Sequence, residues 1–186
     1  MPFDVHPAPI PGLLLIEPKI FGDARGFFME SYSKRELAQA GIDCDFVQDN
    51  LSLSCKNTLR GLHFQAPPFA QAKLVCVLRG AAMDVVVDIR SQSPHYGKHF
   101  AVELNDAQRR ILFIPEGFAH GFLALSDECL FAYKCSNYYA PASEGGLAWD
   151  DPDLNIDWRA LGLEGPALVS EKDRRHPRFA DFVSPF

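Results

Sequence analysis

The stretch QAKLVCVLRGAAMDVVVDIR (71–90) decides the fold class. It holds two valine-rich runs of strand length, KLVCVLRG (73–80) and MDVVVDIR (83–90), and MDVVVDI carries the alternation of a half-buried strand. Outward from it the same unit recurs. GLLLIEP (12–18), GFFMES (26–31) and VQDNLSLS (47–54) come before; KHFAVEL (98–104), RILFIPEG (110–117), HGFLALS (120–126) and LFAYKCSN (130–137) come after. Gly, Pro, Asn and Asp punctuate these runs. Short strands at such spacing predict an all-β sandwich or barrel, and a jelly roll fits best.

Helix is scarce. Ser33-Lys34-Arg35-Glu36 reads as a capping box opening a short helix, SKRELAQA, that Gly41 stops. DAQRR (106–110) reads as a turn between strands. Prolines at 141, 152, 166, 177 and 185 predict an irregular tail, with a helical turn around DWRALG. With no repeat, low-complexity tract or long linker, residues 1–186 read as one domain: a jelly-roll core over about 11–140 and a C-terminal lobe over about 141–186.

Composition narrows the function classes. A formal net charge of −6 and a sequence pI near 5.5 argue against a nucleic-acid partner, whose footprint is a basic patch or domain. A small anionic ligand stays open, because a few converging arginines set a local potential whatever the global balance. No run approaches the roughly 20 apolar residues of a membrane helix. MPFDVHPAPIPG has no basic start and is not expected to act as a signal peptide. The cysteines (Cys44, Cys55, Cys76, Cys129, Cys135) form no CxxC pair, and most sit in apolar runs that predict buried, reduced thiols. A cytoplasmic protein is the expectation.

Several residues could carry chemistry. LRGLHFQ (59–65) sets Arg60, His63 and Gln65 in one short run; if it is extended, His63 shares a face with Gly61 and Gln65. An imidazole at the mouth of an apolar barrel can act as a general base, since its ordinary pKa lies near neutrality. A single histidine is nonetheless more often structural than catalytic. FIPEGFAHGF (113–122) supplies His120 after a Pro-Glu-Gly turn, in a pattern similar to the second motif of cupin barrels. The first cupin motif would need more ligands than His63 followed by Phe64 and Gln65, so no metal site is expected; His95 and His99 read as turn and edge residues. Arg25, on a turn in DARGFFME (23–30), joins Arg60 and Lys73 as cations that could converge on a diphosphate. Tyr133 in LFAYKCSN is a candidate acid, although a strand tyrosine is usually core.

Taken together, DARGFFMES, FVQDNLSLS, LRGLHFQ, QAKLVCVLRGAAMDVVVDIR, FIPEGFAHGFLALSD, AYKCSNYYAPASEGGLAWDDP and SEKD resemble the dTDP-4-dehydrorhamnose 3,5-epimerases, in order from about 11 to 173. Linked motifs of matching spacing are far more specific than any one fingerprint. The resemblance implies a cupin-like jelly roll and a cofactor-free isomerase acting on dTDP-4-dehydro-6-deoxy-D-glucose. The absence of a Gly-rich dinucleotide fingerprint agrees with that.

By similarity, His63 is the base, Asp173 orients it, Tyr133 is the acid and Lys73 faces the enolate oxygen. Arg25 and Arg60 match the diphosphate positions, and Glu30, Gln48, Asn50, His120, Glu144 and Lys172 match further substrate contacts. Family members are dimers that share strands, which implies that part of each site comes from a partner chain. One departure stands out: the segment through LNIDWRALGLEGPALV looks a few residues longer than in the family. The rival functions are a related epimerase inverting one carbon and, from another class, a non-catalytic sugar-nucleotide-binding jelly roll.

Overall fold

The computed structural model describes residues 2–186. Its strands are β1 (Phe3–Pro7), β2 (Leu14–Pro18), β3 (Phe21–Asp23), β4 (Gly26–Phe28), β5 (Gln48–Ser54), β6 (Leu59–Gln65) and β7 (Lys73–Arg79). They continue as β8 (Ala81–Asp88), β9 (His99–Asn105), β10 (Ile111–Ile114), β11 (Phe118–Ala124), β12 (Cys129–Cys135) and β13 (Glu144–Gly146). A six-stranded sheet runs β1-β2-β10-β7-β12-β5, a five-stranded sheet runs β13-β6-β11-β8-β9, and β3 pairs with β4 as a separate hairpin. The cupin-like jelly roll expected from the sequence is thus the observed architecture.

The valine run explains how the layers stack. Val86 of β8 points into the space between the sheets, among Val75, Leu112, Phe122 and Phe131. Its neighbours Val85 and Val87 point the other way, onto Leu147, Leu154 and Trp158 of the C-terminal segment. β8 is therefore buried on both faces, which is why its sequence departs from strict alternation. On β5 the alternation is cleaner: Gln48, Asn50 and Ser52 are half-buried, while Leu51 and Leu53 stand 66% and 61% exposed.

α1 (Lys34–Gln39) starts after Ser33, whose backbone is extended as a cap requires but whose hydroxyl caps nothing; the expected capping box does not form. Glu36 instead takes Arg35 Nε at 3.2 Å. The stop is as read. Gly41 adopts φ +88, Gly41 N–H bonds to Ala38 O, and Ile42 N–H bonds to Leu37 O at 2.9 Å. This is the Schellman pattern, sealed by the buried pair Leu37 and Ile42.

Other details depart from expectation. β1, β3 and β13 were not anticipated: β1 is interrupted by His and Pro, β3 has three residues, and β13 is Glu-Gly-Gly. DWRALG forms successive turns rather than a helix. Only Cys129 and Cys135 are buried; Cys44 and Cys76 are half-buried and Cys55 is exposed, because edge and outward positions claim them. No helix among the described residues is long and apolar enough to cross a membrane.

Candidate active site

The site begins with an irregularity in β6. Opposite β11, His63 aligns with His120, but Arg60 aligns with Phe122, so three steps on β6 match two on β11. In a regular strand, residues three apart face opposite sides. The bulge removes that parity, and Arg60 and His63 both line one cavity of about 700 Å³ between the sheets. Two glycines make the bulge sterically feasible. A Cβ on Gly61 would sit 2.6 Å from Gly121 Cα, and one on Gly121 would sit 2.6 Å from Arg60 O. Across the cavity, Arg60 Nε donates to Ser54 Oγ of β5 at 3.1 Å, reaching the opposite sheet.

Asp173 comes from the tail. Leu168 is tied beside β6: its N–H bonds to Asn57 O at 2.8 Å and its carbonyl accepts Leu59 N–H at 3.0 Å. From that anchor the chain turns through Ser170, whose hydroxyl accepts Asp173 N–H at 3.1 Å. Asp173 Oδ1 then lies 2.8 Å from His63 Nε2, and Oδ2 accepts Gly61 N–H at 3.3 Å. The longer segment before SEKD is taken up in turns without displacing this contact. Burial alone would raise the Asp173 carboxyl. The facing imidazoles of His176 and His63, with Gly61 N–H, more than offset that and hold it well below the usual carboxylate range. With Asp173 ionised, Nε2 of His63 carries the hydrogen and Nδ1 keeps its lone pair.

The opposite wall is the six-stranded sheet, which supplies Lys73 from β7 and Tyr133 from β12. Burial lowers the Lys73 ammonium, opposed in part by Cys135, Asp84 and Glu144. Burial likewise pushes the Tyr133 hydroxyl up, so it keeps its proton through the neutral range. His120 Nε2 lies 2.8 Å from Asp84 Oδ2, both side chains being buried. Desolvation outweighs Asp84 and depresses the His120 imidazole, which favours the neutral ring.

At the rim, Lys172 Nζ lies 2.5 Å from Glu144 Oε2, and the Tyr139 hydroxyl donates to that oxygen at 2.7 Å. Burial would raise Glu144, but these two contacts bring it below its ordinary value. Gln48 and Asn50 line an adjoining recess of about 300 Å³, with Gln48 Nε2 donating to Asn50 Oδ1 at 3.0 Å.

The cavity and its recess thus gather His63, Asp173, Tyr133, Lys73, Arg60 and His120, and with them Glu144, Lys172, Gln48 and Asn50. Arg25 and Glu30 are not among them. Arg25 sits on the β3–β4 turn, its side chain 90% exposed and bound to Asp23 of the same turn. The physical reason is topological: this hairpin joins neither sheet, and none of its residues lines the cavity or its recess. Its Phe21, Phe27 and Phe28 are all more than half exposed, at 62%, 52% and 67%. Sequence reading missed Asp84, Tyr139 and His176. Asp84 left a signal, an acid inside a valine run; His176 left one too, three residues beyond Asp173.

An imidazole on one sheet with its carboxylate partner from the tail, and a protonated tyrosine and a lysine on the other sheet, make a jelly-roll site equipped to move protons on both sides of a bound molecule. Comparison with known proteins places it more narrowly. Residues 7–181 match the dTDP-4-dehydrorhamnose 3,5-epimerase family. A dTDP-4-dehydrorhamnose 3,5-epimerase of Methanothermobacter thermautotrophicus is 50% identical over 163 residues, covering 88% of this chain and 87% of its own. The structure of an epimerase from Legionella pneumophila Philadelphia 1, in complex with dTDP-4-keto-L-rhamnose, superposes with a TM-score of 0.93 at 44% identity, covering 97% of this chain and 95% of its own. A 3'-monoepimerase from Streptomyces bikiniensis, in complex with dTDP-quinovose, gives 0.88 at 36% identity, over 94% of this chain and 87% of its own. The chain belongs to the dTDP-4-dehydrorhamnose 3,5-epimerase family.

Proposed function

We propose that the protein converts dTDP-4-dehydro-6-deoxy-D-glucose to dTDP-4-dehydro-L-rhamnose by inverting C3 and C5 in turn, within dTDP-L-rhamnose biosynthesis in the cytoplasm. The observation that carries the reading is the pairing of His63–Asp173 with Tyr133 on opposite walls of one cavity, Lys73 lying beside the tyrosine.

Each inversion follows the same bookkeeping. His63 Nδ1 takes the hydrogen next to the C4 ketone as a proton, and the bonding pair moves to the C4 oxygen as an enolate. The Lys73 ammonium stabilises that oxyanion. The Tyr133 hydroxyl returns a proton to the carbon from the opposite face, which inverts it; the imidazolium then loses its proton and the phenolate regains one by exchange with solvent before the next inversion. Asp173 holds the imidazole in the tautomer that leaves Nδ1 free and stabilises the imidazolium that forms. The steps are redox-neutral and call for no electron acceptor.

Arg60 serves the diphosphate, and Gln48, Asn50, His120, Glu144 and Lys172 contact the remaining substrate. Arg25 and Glu30 act in a second copy. The exposed phenylalanines of the β3–β4 hairpin, together with Leu51 and Leu53 on the outer face of β5, form apolar surface suited to a homodimer. In that assembly each hairpin reaches the neighbouring cavity, and the whole chain works as one domain.

Proton NMR of the 4-keto sugar nucleotide with enzyme in deuterated water tests the proposal. Deuterium entering at both C3 and C5 with inversion supports it. Exchange at one carbon alone favours the single-carbon reading, which the likeness to a 3'-monoepimerase keeps in view. No exchange at either carbon would reduce the protein to a binding module.

A further inference from the structure

His176 Nε2 is buried and has no hydrogen-bond partner among the described residues. It stands 3.7 Å from Asp173 Oδ1, the oxygen that holds His63 Nε2 at 2.8 Å. A distance of 3.7 Å is an electrostatic contact and not a hydrogen bond. The ring is fixed by packing: it lies over Gly146 of β13, where a Cβ would come within 2.5 Å of it, and meets the His63 ring edge-on at 5.5 Å. One donor atom from each of His63, Asp173 and His176 falls within 4.8 Å of the others.

We propose that these three side chains form a binding site for zinc or a similar divalent transition ion, and that occupancy switches the catalytic base off. The switching half rests on the reading of His63 as the base. Two imidazole nitrogens and one carboxylate oxygen are a donor set that suits zinc, and three protein ligands with a further position free mark an accessible site. Magnesium and calcium would demand more oxygens than this cluster offers.

The fit is close. Zinc bonds of about 2.0–2.2 Å in tetrahedral array separate neighbouring donors by roughly 3.3–3.5 Å. That lies between the two separations to Asp173, 2.8 and 3.7 Å, so His63 recedes and His176 approaches by a few tenths of an ångström each, while the two imidazole nitrogens, within 4.8 Å of one another, draw together around the ion. Asp173 Oδ2, held by Gly61 N–H at 3.3 Å, supplies the outer-shell support such ligands need. The His63 side chain is 29% exposed and both His63 and Asp173 line the cavity, so an ion reaches the cluster from the cavity side.

Proton bookkeeping explains the switch. In the metal-free dyad, Nε2 of His63 bears the hydrogen and Nδ1 the lone pair. An ion bound at Nε2 needs a lone pair there, so the Nε2 proton leaves and the hydrogen of the neutral ring resides on Nδ1 instead. The ring then has no basic nitrogen facing substrate. The ion adds no step to the reaction and occupies the group that would begin it.

The test uses chelator-treated protein, cobalt(II) followed by visible absorption, and zinc followed by calorimetry. Wild type should take up one ion per chain. Loss of an outer-shell partner alone costs about 10–100-fold in affinity, so His176→Gln, which loses a ligand, should weaken uptake at least tenfold. His176→Cys keeps a ligand and should retain uptake, adding a sulfur-to-cobalt charge-transfer band. Zinc should slow wild-type turnover in step with occupancy, a chelator should restore it, and His176→Gln should need at least tenfold more zinc, each protein referred to its own metal-free rate. Equal uptake by wild type and His176→Gln, no uptake below millimolar ion, or undiminished turnover at full occupancy would each overturn the proposal. The cobalt arm needs no substrate, so failure of the site and failure of the epimerase reading give different results.

Discussion

Nε2 of His63 meets Oδ1 of Asp173 at 2.8 Å although 110 residues of chain separate them. The carboxylate is buried and is held ionised by what surrounds it, so it fixes the imidazole's tautomer over the working pH range. Replacing Asp173 with Asn leaves a side chain of the same size that can also donate, and the ring is free to turn its hydrogen toward the cavity. The expected outcome is a fall in kcat of about 10²–10⁴-fold for His63→Asn, and a loss of similar order for Asp173→Asn. Deuterium uptake at C3 and C5 should collapse in His63→Asn. Normal uptake in that variant would remove His63 from the mechanism.

Tyr133→Phe removes one hydroxyl from the opposite wall. Abstraction by His63 should survive in part, so solvent deuterium can enter from the base's own face with configuration retained. Inversion should fail, with a loss of about 10²–10⁴-fold. Inversion of C5 at the wild-type rate in Tyr133→Phe would mean the acid lies elsewhere.

The alkaline limb of the rate profile should belong to Lys73. In the proposed mechanism its protonated form is the active one, so activity should be lost as pH rises through its pKa, and burial places that pKa below the ordinary value of about 10.4. Tyr133, raised by burial, titrates too high to produce a limb there. An arginine stays charged throughout, so Lys73→Arg should retain part of the activity and move the limb to higher pH. A limb that does not move in Lys73→Arg would assign it to another group.

Arg60→Ala should raise KM about tenfold or more, since a charge-assisted hydrogen bond contributes roughly 1.5–3 kcal/mol. Arg25→Ala should do the same if the hairpin serves a neighbouring copy, and mixing tests that directly. Arg25→Ala and His63→Asn chains, each impaired alone, should recover activity when exchanged into mixed dimers, because one cavity then holds both intact residues. Absence of recovery would place Arg25 in its own chain's chemistry or outside it.

Gly121→Ala should cost stability and activity together. The added methyl would lie 2.6 Å from Arg60 O and 3.0 Å from Gly61 Cα, both backbone atoms. Overpacking of this kind costs about 1–3 kcal/mol, or several degrees of Tm. Relief by bending β6 would swing Arg60 and His63 out of register, so kcat should fall even in the folded fraction. A stable, fully active Gly121→Ala would show that the bulge tolerates a side chain.

Much of this was legible in the residues because strands announce themselves through burial. The runs around Val85 and Phe122 are apolar since both sheet faces there are covered, and the run around Val75 turns its buried valines to the space between the sheets, so period and length sufficed to find them. β13 and β3 were invisible since a Glu-Gly-Gly strand and a three-residue strand have no periodicity to read. The candidate base, acid and lysine were carried by motif resemblance. That Arg60 and His63 share a wall was not, because regular alternation puts them on opposite faces and only the pairing with β11 reveals the slipped register. Asp84 and His176 escaped for a different reason. Their roles come from partners far away in sequence, His120 for one and the His63–Asp173 pair for the other, and no local pattern encodes a distant partner.

The tail's contribution orders events in the life of the chain. Every strand of both sheets lies before residue 147, and those strands bring His63, His120, Lys73 and Tyr133 to the cavity. Asp173 follows only after Leu168 has been stitched beside Asn57 and Leu59. A ribosome that has delivered the barrel has therefore delivered a container with an unaimed base. The same tail covers the outer face of β8 through Leu147, Leu154 and Trp158, so its docking completes the packing of the sheet and aims the carboxylate at His63 in one event.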